Sequence, residues 1–255
     1  MKIISWNVNG IRAAITKGLM DWLAKAKPDI LCLQETKAHP EQLTGDLVSP
    51  EGYGSVWASA EKRGYSGCVV YYRKECRSAG VLGVKKFDDE GRVQILEYDN
   101  FTLINTYFPN SREAGRRLEY KLDFCEAVRK KCNTLCTAGK NIVICGDFNI
   151  AHTPLDLARP KQNEQNPGYL PEEREWMTKF IGNGYVDTFR MFNKDGGNYS
   201  WWSYRMNARA KNIGWRIDYF CVNKEFSSQV RDAYILSGVM GSDHCPVGIE
   251  LECEC

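Results

Sequence analysis

Nothing in the chain is long and apolar enough to cross a bilayer as a helix. A span needs roughly 20 apolar residues. The longest apolar runs, Cys68-Val69-Val70-Tyr71-Tyr72 and Ile142-Val143-Ile144-Cys145, are strand-sized. No signal peptide opens the chain, because Ser5 and Asn7 interrupt the first apolar stretch. The compartment expected is therefore the cytosol. No CxxC pair occurs, which argues against a zinc ribbon. No Pro/Gly/Ser-rich linker divides the chain and no solenoid-length repeat recurs, so residues 1–255 read as a single domain. Excess charge is scarce too: Lys and Arg total 34 against 32 Asp and Glu, a net +2. A polyanionic partner would need the positive charge gathered on one face. Histidine is rarer still, with only His39, His152 and His244.

Cysteine, by contrast, is abundant. Eleven is an odd count, which does not suit a secreted disulfide framework. Cys32, Cys68, Cys145 and Cys221 sit inside apolar runs and read as small, reduced core residues. Cys253 and Cys255, near the chain end, read as the thiols most open to oxidation.

Short β-rich runs recur at 2–8, 29–34, 53–58, 67–73, 93–98, 101–107, 141–145, 216–222, 230–235 and 247–251. Helical patterns fall at 17–26, 116–137 and 171–181. The last opens Pro171-Glu172-Glu173, which suits a helical first turn. The order is mixed rather than strictly alternating. It predicts two mostly antiparallel sheets packed together with helices outside.

Polar residues recur where the apolar strands stop. Ile3-Ile4-Ser5-Trp6 runs into Asn7-Val8-Asn9, and Leu31-Cys32-Leu33 into Gln34-Glu35-Thr36-Lys37. Ile104-Asn105-Thr106 runs into Tyr107-Phe108-Pro109-Asn110, and Ile144-Cys145-Gly146 into Asp147-Phe148-Asn149. Trp215-Arg216-Ile217 leads to Asp218, and Gly241-Ser242-Asp243-His244 precedes the last strand. Each alone is ordinary turn chemistry. Converging on one rim, they would pool carboxylates, carboxamides, a tyrosine and a histidine. Bunched carboxylates resist ionisation unless cations neutralise them. Oxygen-rich donors suit Mg²⁺ or Mn²⁺ better than zinc, and such metals suit phosphate-ester hydrolysis. Asp218 could orient His244 as in a catalytic dyad.

Together Ser-Trp-Asn-Val-Asn-Gly-Ile-Arg (5–12), Leu-Gln-Glu-Thr-Lys (33–37), Thr-Tyr-Phe-Pro-Asn (106–110), Gly-Asp-Phe-Asn (146–149), Trp-Arg-Ile-Asp-Tyr (215–219) and Ser-Asp-His-Cys-Pro (242–246) resemble the exonuclease III family of apurinic/apyrimidinic endonucleases. This family lies within the DNase I-like endonuclease/exonuclease/phosphatase superfamily. The resemblance spans nearly the whole chain. It implies a four-layered α/β sandwich: two mixed, mostly antiparallel β-sheets packed face to face with helices outside. It also implies a Mg²⁺-dependent endonuclease, with Mn²⁺ as substitute, that cuts 5′ to an abasic site in double-stranded DNA. Exonuclease and 3′-phosphodiesterase side activities would accompany it.

By resemblance Glu35 is the principal metal ligand, with Asn7 and Asp243 nearby and Asp147, Asn149 and His244 completing the metal-site set. Asn9 stands where some relatives carry aspartate. Asp147 would align or deprotonate the attacking water, and Asn149 would hold the phosphate. His244, oriented by Asp218, would contact the scissile phosphate, supported by Tyr107 and Asn110. Asn166, Arg12, Lys37 and Tyr65 match phosphate contacts. Trp201, Trp215 and Ile217 match the walls of a pocket for a flipped abasic sugar.

No acid lies between Asp195 and Asp218, while Arg205, Arg209, Lys211 and Arg216 mingle there with Tyr199, Trp201, Trp202, Tyr204 and Trp215. That segment reads as the local concentration of positive charge a DNA partner requires. Arg112, Arg116, Arg117 and Lys121 either extend it or form a solvated helix face. A monomer is the default for an enzyme that must embrace a duplex. Two other readings compete: a small-molecule or lipid phosphodiesterase, and a non-catalytic nucleic-acid-binding regulator. The first fits the acid-free aromatic stretch poorly; the second fits the intact site residues poorly.

Arg205 is expected to fill the gap left by a flipped nucleotide. Arg205→Ala should therefore bind and cut abasic duplex more weakly than wild type in gel-shift and cleavage assays; unchanged behaviour would remove Arg205 from that role.

Overall fold

The computed structural model describes residues 1–253, so Cys255 lies outside the described residues. Two six-stranded sheets form the centre. The first runs in the order Val230–Ile235, Val247–Leu251, Lys2–Asn7, Ile30–Gln34, Cys68–Tyr72, Gly54–Ala58. The second runs Ser78–Gly80, Val93–Glu97, Thr102–Tyr107, Ile142–Asp147, Asp218–Asn223, Tyr185–Asp187. Each contains one parallel pair at its middle, Lys2–Asn7 with Ile30–Gln34 and Thr102–Tyr107 with Ile142–Asp147; the other pairings are antiparallel.

The apolar runs are continuous because both faces of these strands are covered. Ile3, Ile30, Cys32, Val70, Leu103, Val143 and Cys145 point into the space between the sheets. Their neighbours Ile4, Leu31, Leu33 and Val69 pack outward against the helices Ile11–Thr16 and Leu19–Ala26. On the other side Ile104, Ile142 and Ile144 pack against Phe124, Val128, Trp176 and Phe180 of the helices Leu118–Thr137 and Pro171–Gly182. The result is the four-layered α/β sandwich. The cysteines of the described residues are free thiols, and Cys32, Cys68, Cys145 and Cys221 are buried as expected. No helix among the described residues is long and apolar enough to cross a membrane.

Three local expectations shift. The helix expected at 17–26 begins at Leu19, because Gly18 turns left-handed (φ 93°) and divides it from an unanticipated helix, Ile11–Thr16. The strand expected from 216 begins at Asp218, because the Arg216 amide donates instead to Asp156 O at 2.6 Å. The edge strands Ser78–Gly80 and Tyr185–Asp187 are too short to show a period of two.

A polar chain crosses the sandwich. Gln34 Nε2 donates to Ser5 Oγ (2.9 Å) and to Asn105 Oδ1 (2.7 Å), Asn105 Nδ2 to Gln94 Oε1 (3.0 Å), and Gln94 Nε2 to Val56 O (2.6 Å). These buried amide bonds form only in one mutual register of the two sheets.

Arg216 belongs to the interior rather than to any surface patch. Its Nε donates to Asp156 Oδ1 at 2.7 Å and its NH2 to Asp187 Oδ2 at 2.7 Å, and Arg190 NH2 joins Asp156 at 2.5 Å. Burial pushes the Asp156 carboxyl up, but Arg216 and Arg190 outweigh that and hold it at about 2, below its ordinary 3.8. A depressed carboxyl contributes stability that is present above its unfolded pKa and is lost as pH falls through the folded one. Its contribution is on the order of 2 kcal/mol at neutral pH. Asp156→Asn should cost about 3 kcal/mol in urea denaturation at pH 7, because Arg216 loses a buried partner. Between pH 4 and 2 (the window set by the two pKa values) the variant's stability should fall less steeply than wild type's.

Candidate active site

The two parallel pairs explain why the site residues meet. Parallel strands end on the same side, so Asn7 lies beside Gln34 and Tyr107 beside Asp147. Asp218 opens an antiparallel strand directly opposite Asp147. Ser5 pairs Val247, which brings the preceding Asp243 and His244 to the same rim.

The turns beyond these strand ends use unusual backbone. Asn9 (φ 47°), Glu35 (φ 57°) and Asn149 (φ 51°) are left-handed without being glycine. Such residues cost energy and persist only where the surroundings hold them. Gly146 (φ 135°) must be glycine, since a Cβ there would lie 1.8 Å from Thr106 O in the neighbouring strand.

Asn9, Glu35, Tyr107, Asn110, Asp147, Asn149, Asn166, Trp201, Trp215, Ile217, Asp243 and His244 line one cavity of about 310 Å³, joined by Pro167 and Gly168. Asn7 lies beneath it. Its Nδ2 donates to Asp147 Oδ2 at 2.8 Å and to Glu35 Oε2 at 3.1 Å, while its Oδ1 accepts from the Asn9 amide. Asn7 thus turns its NH₂ group, not its oxygen, toward the carboxylates. Lys37 Nζ sits 2.9 Å from Glu35 Oε1 and 2.5 Å from Asn9 Oδ1. An ammonium therefore already rests on Glu35, and the cavity's further donors are carboxylate and amide oxygens and one imidazole. That set fits a hard divalent cation.

Asp147 is held from several sides. The Asn149 amide donates to its Oδ1 at 2.8 Å, and Asn149 Nδ2 to its Oδ2 at 3.1 Å. Burial raises its pKa and Asp218 adds to the rise, against the pull of His244. Asn149 Nδ2 also donates to Phe108 O, and its Oδ1 accepts from Asn110 Nδ2 at 3.1 Å.

His244 Nδ1 meets Asp218 Oδ2 at 2.9 Å, and its Nε2 lies 3.9 Å from Asp147 Oδ2. Burial alone would strip its proton. The carboxylates of Asp218, Asp147 and Asp243 outweigh that and push it up to about 10. Asp147, Asp218 and His244 each bring a donor atom within 4.8 Å of the others, a spacing that a cation or a shared proton can bridge. Ser200 completes the dyad: its Oγ donates to Asp218 Oδ2 at 2.6 Å and accepts the amides of Ile217 and Asp218. Sequence reasoning missed Ser200; its one signal was its place beside Trp201. Asp243 spends both oxygens on protein donors, Oδ1 on Asn9 Nδ2 (2.9 Å) and Oδ2 on Trp201 Nε1 (3.0 Å).

Trp201 and Trp215 pair across a two-residue ribbon and meet edge to face at 6.3 Å. With Ile217 they form the apolar wall. Tyr107 stays a neutral phenol, its pKa raised by burial and by Glu35. Arg12 is exposed, whereas Tyr65 is half-buried and its OH accepts from Arg92 and Arg117 at 2.8 Å each. Neither lines the cavity.

The basic aromatic segment is less cationic at its surface than its sequence suggests. Arg216 is buried, and Arg209 donates to the carbonyls of Ser237, Val239 and Ser242. Arg205 and Lys211 face solvent. Beside Arg205 stands Met206, 85% exposed and left-handed (φ 57°). Arg112 and Arg116 are also exposed, but Lys121 is on neither a track nor a solvated face, because it is fully buried against Glu173.

The profile of the endonuclease/exonuclease/phosphatase family matches residues 4–244. An exodeoxyribonuclease of Bacillus subtilis is 45% identical over 97% of this chain and 98% of its own length. A DNA-(apurinic or apyrimidinic site) endonuclease of Dictyostelium discoideum is 42% identical over 99% of this chain and 71% of its own. Among solved structures, the AP endonuclease LMAP from Leishmania major superposes with a TM-score of 0.88 at 33% identity, covering 97% of this chain and 86% of that one.

Saturating Mg²⁺ should raise the melting temperature relative to EDTA. Cation at 100 times its dissociation constant stabilises by about 2.7 kcal/mol, a shift of several degrees for a chain of this size. Glu35→Gln should abolish most of that shift in differential scanning fluorimetry while leaving the EDTA melting temperature nearly unchanged.

Proposed function

Because the chain belongs to the endonuclease/exonuclease/phosphatase family, among its exodeoxyribonucleases and AP endonucleases, we propose that it is a metal-dependent DNA repair nuclease that hydrolyses the phosphodiester 5′ to an abasic site. The products would be a 3′-hydroxyl and a 5′-deoxyribose phosphate. 3′-to-5′ exonuclease and 3′-phosphodiesterase activities would run at the same centre. We assign this work to residues 1–255 acting as one domain and as a monomer. The observation that carries the reading is a single cavity in which a carboxylate–amide–imidazole cluster faces a wall of two tryptophans and an isoleucine.

Glu35 is the principal ligand we assign to Mg²⁺, with Asp243 beside it and Asp147 and Asn149 across the cavity; Asn7 holds Glu35 and Asp147 from below through its NH₂ group, and His244, as an imidazolium, faces the phosphate and not the ion. Bound there, the ion would supply positive charge to the phosphoryl oxygens and Mn²⁺ could replace it.

The chain's own groups carry the remaining roles. Asp147, with a raised pKa, accepts a proton from the attacking water. The water oxygen bonds to phosphorus, the bond to the 3′ oxygen breaks, and that oxygen leaves as the 3′-hydroxyl by taking a proton from solvent water. Negative charge grows on the non-bridging oxygens, where the His244 imidazolium and the remaining N–H of the Asn110 amide, which Asn149 holds through its Oδ1, can donate. Asp218 fixes the His244 ring through Nδ1 and so leaves Nε2 aimed at the cavity. Tyr107 supports the phosphate from the strand end.

Selectivity follows from size and cost. Flat walls at Trp201, Trp215 and Ile217 suit a bare deoxyribose and would clash with an attached base. An abasic nucleotide also flips without breaking a base pair, saving a few kcal/mol. Arg12, Tyr65, Asn166 and Arg205 are assigned to the flanking backbone, where contacts give salt-dependent affinity with little sequence preference.

The test is an end-labelled duplex carrying one tetrahydrofuran abasic analogue, which resists β-elimination. Incision 5′ to the analogue should require Mg²⁺ and should fail in EDTA and on an intact duplex. Asp147→Asn should cut about 10²–10⁴-fold more slowly while still binding. Binding without incision by wild type would favour a non-catalytic regulator; neither binding nor incision would favour a small phosphodiester substrate.

A further inference from the structure

Lys121 and Glu173 form an ion pair at 2.6 Å with both side chains 0% exposed, and the chemistry above makes no use of it. Withdrawing two charges from water is a costly way to hold a helix against a sheet, since an apolar pair of similar volume does so without the desolvation. What the pair touches supplies a reason. Lys121 Nζ donates to the backbone carbonyl of Asn149 at 2.6 Å. That carbonyl faces inward because Asn149 is left-handed, the conformation that also turns its amide onto Asp147. Glu173 accepts from Ser111 Oγ, in the residue after Asn110, and its other oxygen accepts from the Leu170 amide at 2.9 Å. Leu170 closes the loop holding Asn166, Pro167 and Gly168, and Gly168 O accepts from the Ala151 amide at 2.7 Å. The loops that bring Asn110, Asn149 and Asn166 to one side of the cavity are therefore all tied to the same buried pair.

We propose that Lys121 and Glu173 are positioning residues. They set the mutual spacing of the loops at 108–111, 149–151 and 166–170, and so the aim of the amides that meet the phosphate. This rests on the reading of the cavity as the site of phosphodiester hydrolysis. Neither side chain reaches substrate; both act through Asn149 and its neighbours. An error of about 1 Å in such groups costs roughly 100-fold in rate.

The double variant Lys121→Met, Glu173→Leu removes both charges and keeps the volume, so no unpaired charge is left to unfold the protein. It should melt several degrees below wild type, because the Asn149 carbonyl, the Ser111 hydroxyl and the Leu170 amide lose their partners, yet stay folded and bind abasic duplex in EDTA at the assay temperature, while kcat in Mg²⁺ falls about 100-fold. Ser111→Ala, a lighter cut in the same network, should lower kcat about 10-fold with an unaltered melting temperature, and it decides the matter alone if the double variant does not fold. Wild-type kcat in the folded double variant, or in Ser111→Ala, would overturn the proposal. So would a loss of kcat no larger than the loss of folded protein. Wild-type enzyme that fails to cut the abasic duplex would instead overturn the reading of the cavity and the proposal with it.

Discussion

Carboxylate repulsion is the constraint the site is built around. Glu35, Asp147, Asp218 and Asp243 converge on one rim, two of them buried and two half-buried, and left alone they would protonate or push the strand ends apart. The structure answers with donors taken from many segments. Asn7 bridges Glu35 and Asp147, Lys37 caps Glu35, His244 and Ser200 share Asp218, and Asn9 and Trp201 share Asp243. Each bond needs its strand ends correct to within a few tenths of an ångström. That precision comes from below. The Ser5–Gln34–Asn105–Gln94 chain permits one register between the sheets, and Gly146 lets the strand before Asp147 run hard against Thr106.

Asn9 shows how finely this charge is balanced. Its amide donates to Asp243 and its oxygen accepts from Lys37, so it needs both a donor and an acceptor. An aspartate there would meet Asp243 with a second negative charge and nothing to donate. Asparagine lets Asp243 stay ionised: its pKa is lowered, because the His244 imidazolium and the Asn9 and Trp201 bonds outweigh burial. The cavity thus carries one negative charge fewer, and a divalent cation meets less surplus charge to neutralise.

The sequence shows best what repeats along the chain. Continuous apolar runs marked the central strands because both of their faces are buried, and polar residues at the ends of those runs marked the rim. Residues whose role depends on distant partners left no such trace. Ser200 lies in a bend just before the two-residue strand Trp201–Trp202 and looks like any turn serine. Lys121 sits on a helix with Arg129, Lys130 and Lys131, which all keep some contact with solvent, yet it is the one turned fully inward, because Glu173 of another helix and the Asn149 carbonyl meet it there. Arg209 and Arg216 read as part of a cationic surface, but loop carbonyls and buried aspartates take up their guanidinium groups. Charge in a sequence reports composition, whereas charge at a surface depends on what the fold has already paired.

Recognition and chemistry are joined in this cavity by short bonds. Trp201, a wall residue, donates to Asp243 and forms a backbone bridge with His244, and the Cys245 amide donates to Ser200 O beside it. Ser200 in turn holds Asp218 and the amide of Ile217, another wall residue. A ligand that displaced Trp201 would therefore pull on Asp243, and a shift of Ile217 would reach Asp218 through one hydroxyl. The wall cannot adapt to a bulkier guest without disturbing the dyad that orients His244. A guest that fits leaves the imidazolium and amides aimed as they stand. On the reading proposed above, discrimination would then need no separate gate, because a poorly fitting nucleotide would lose binding and catalytic alignment together.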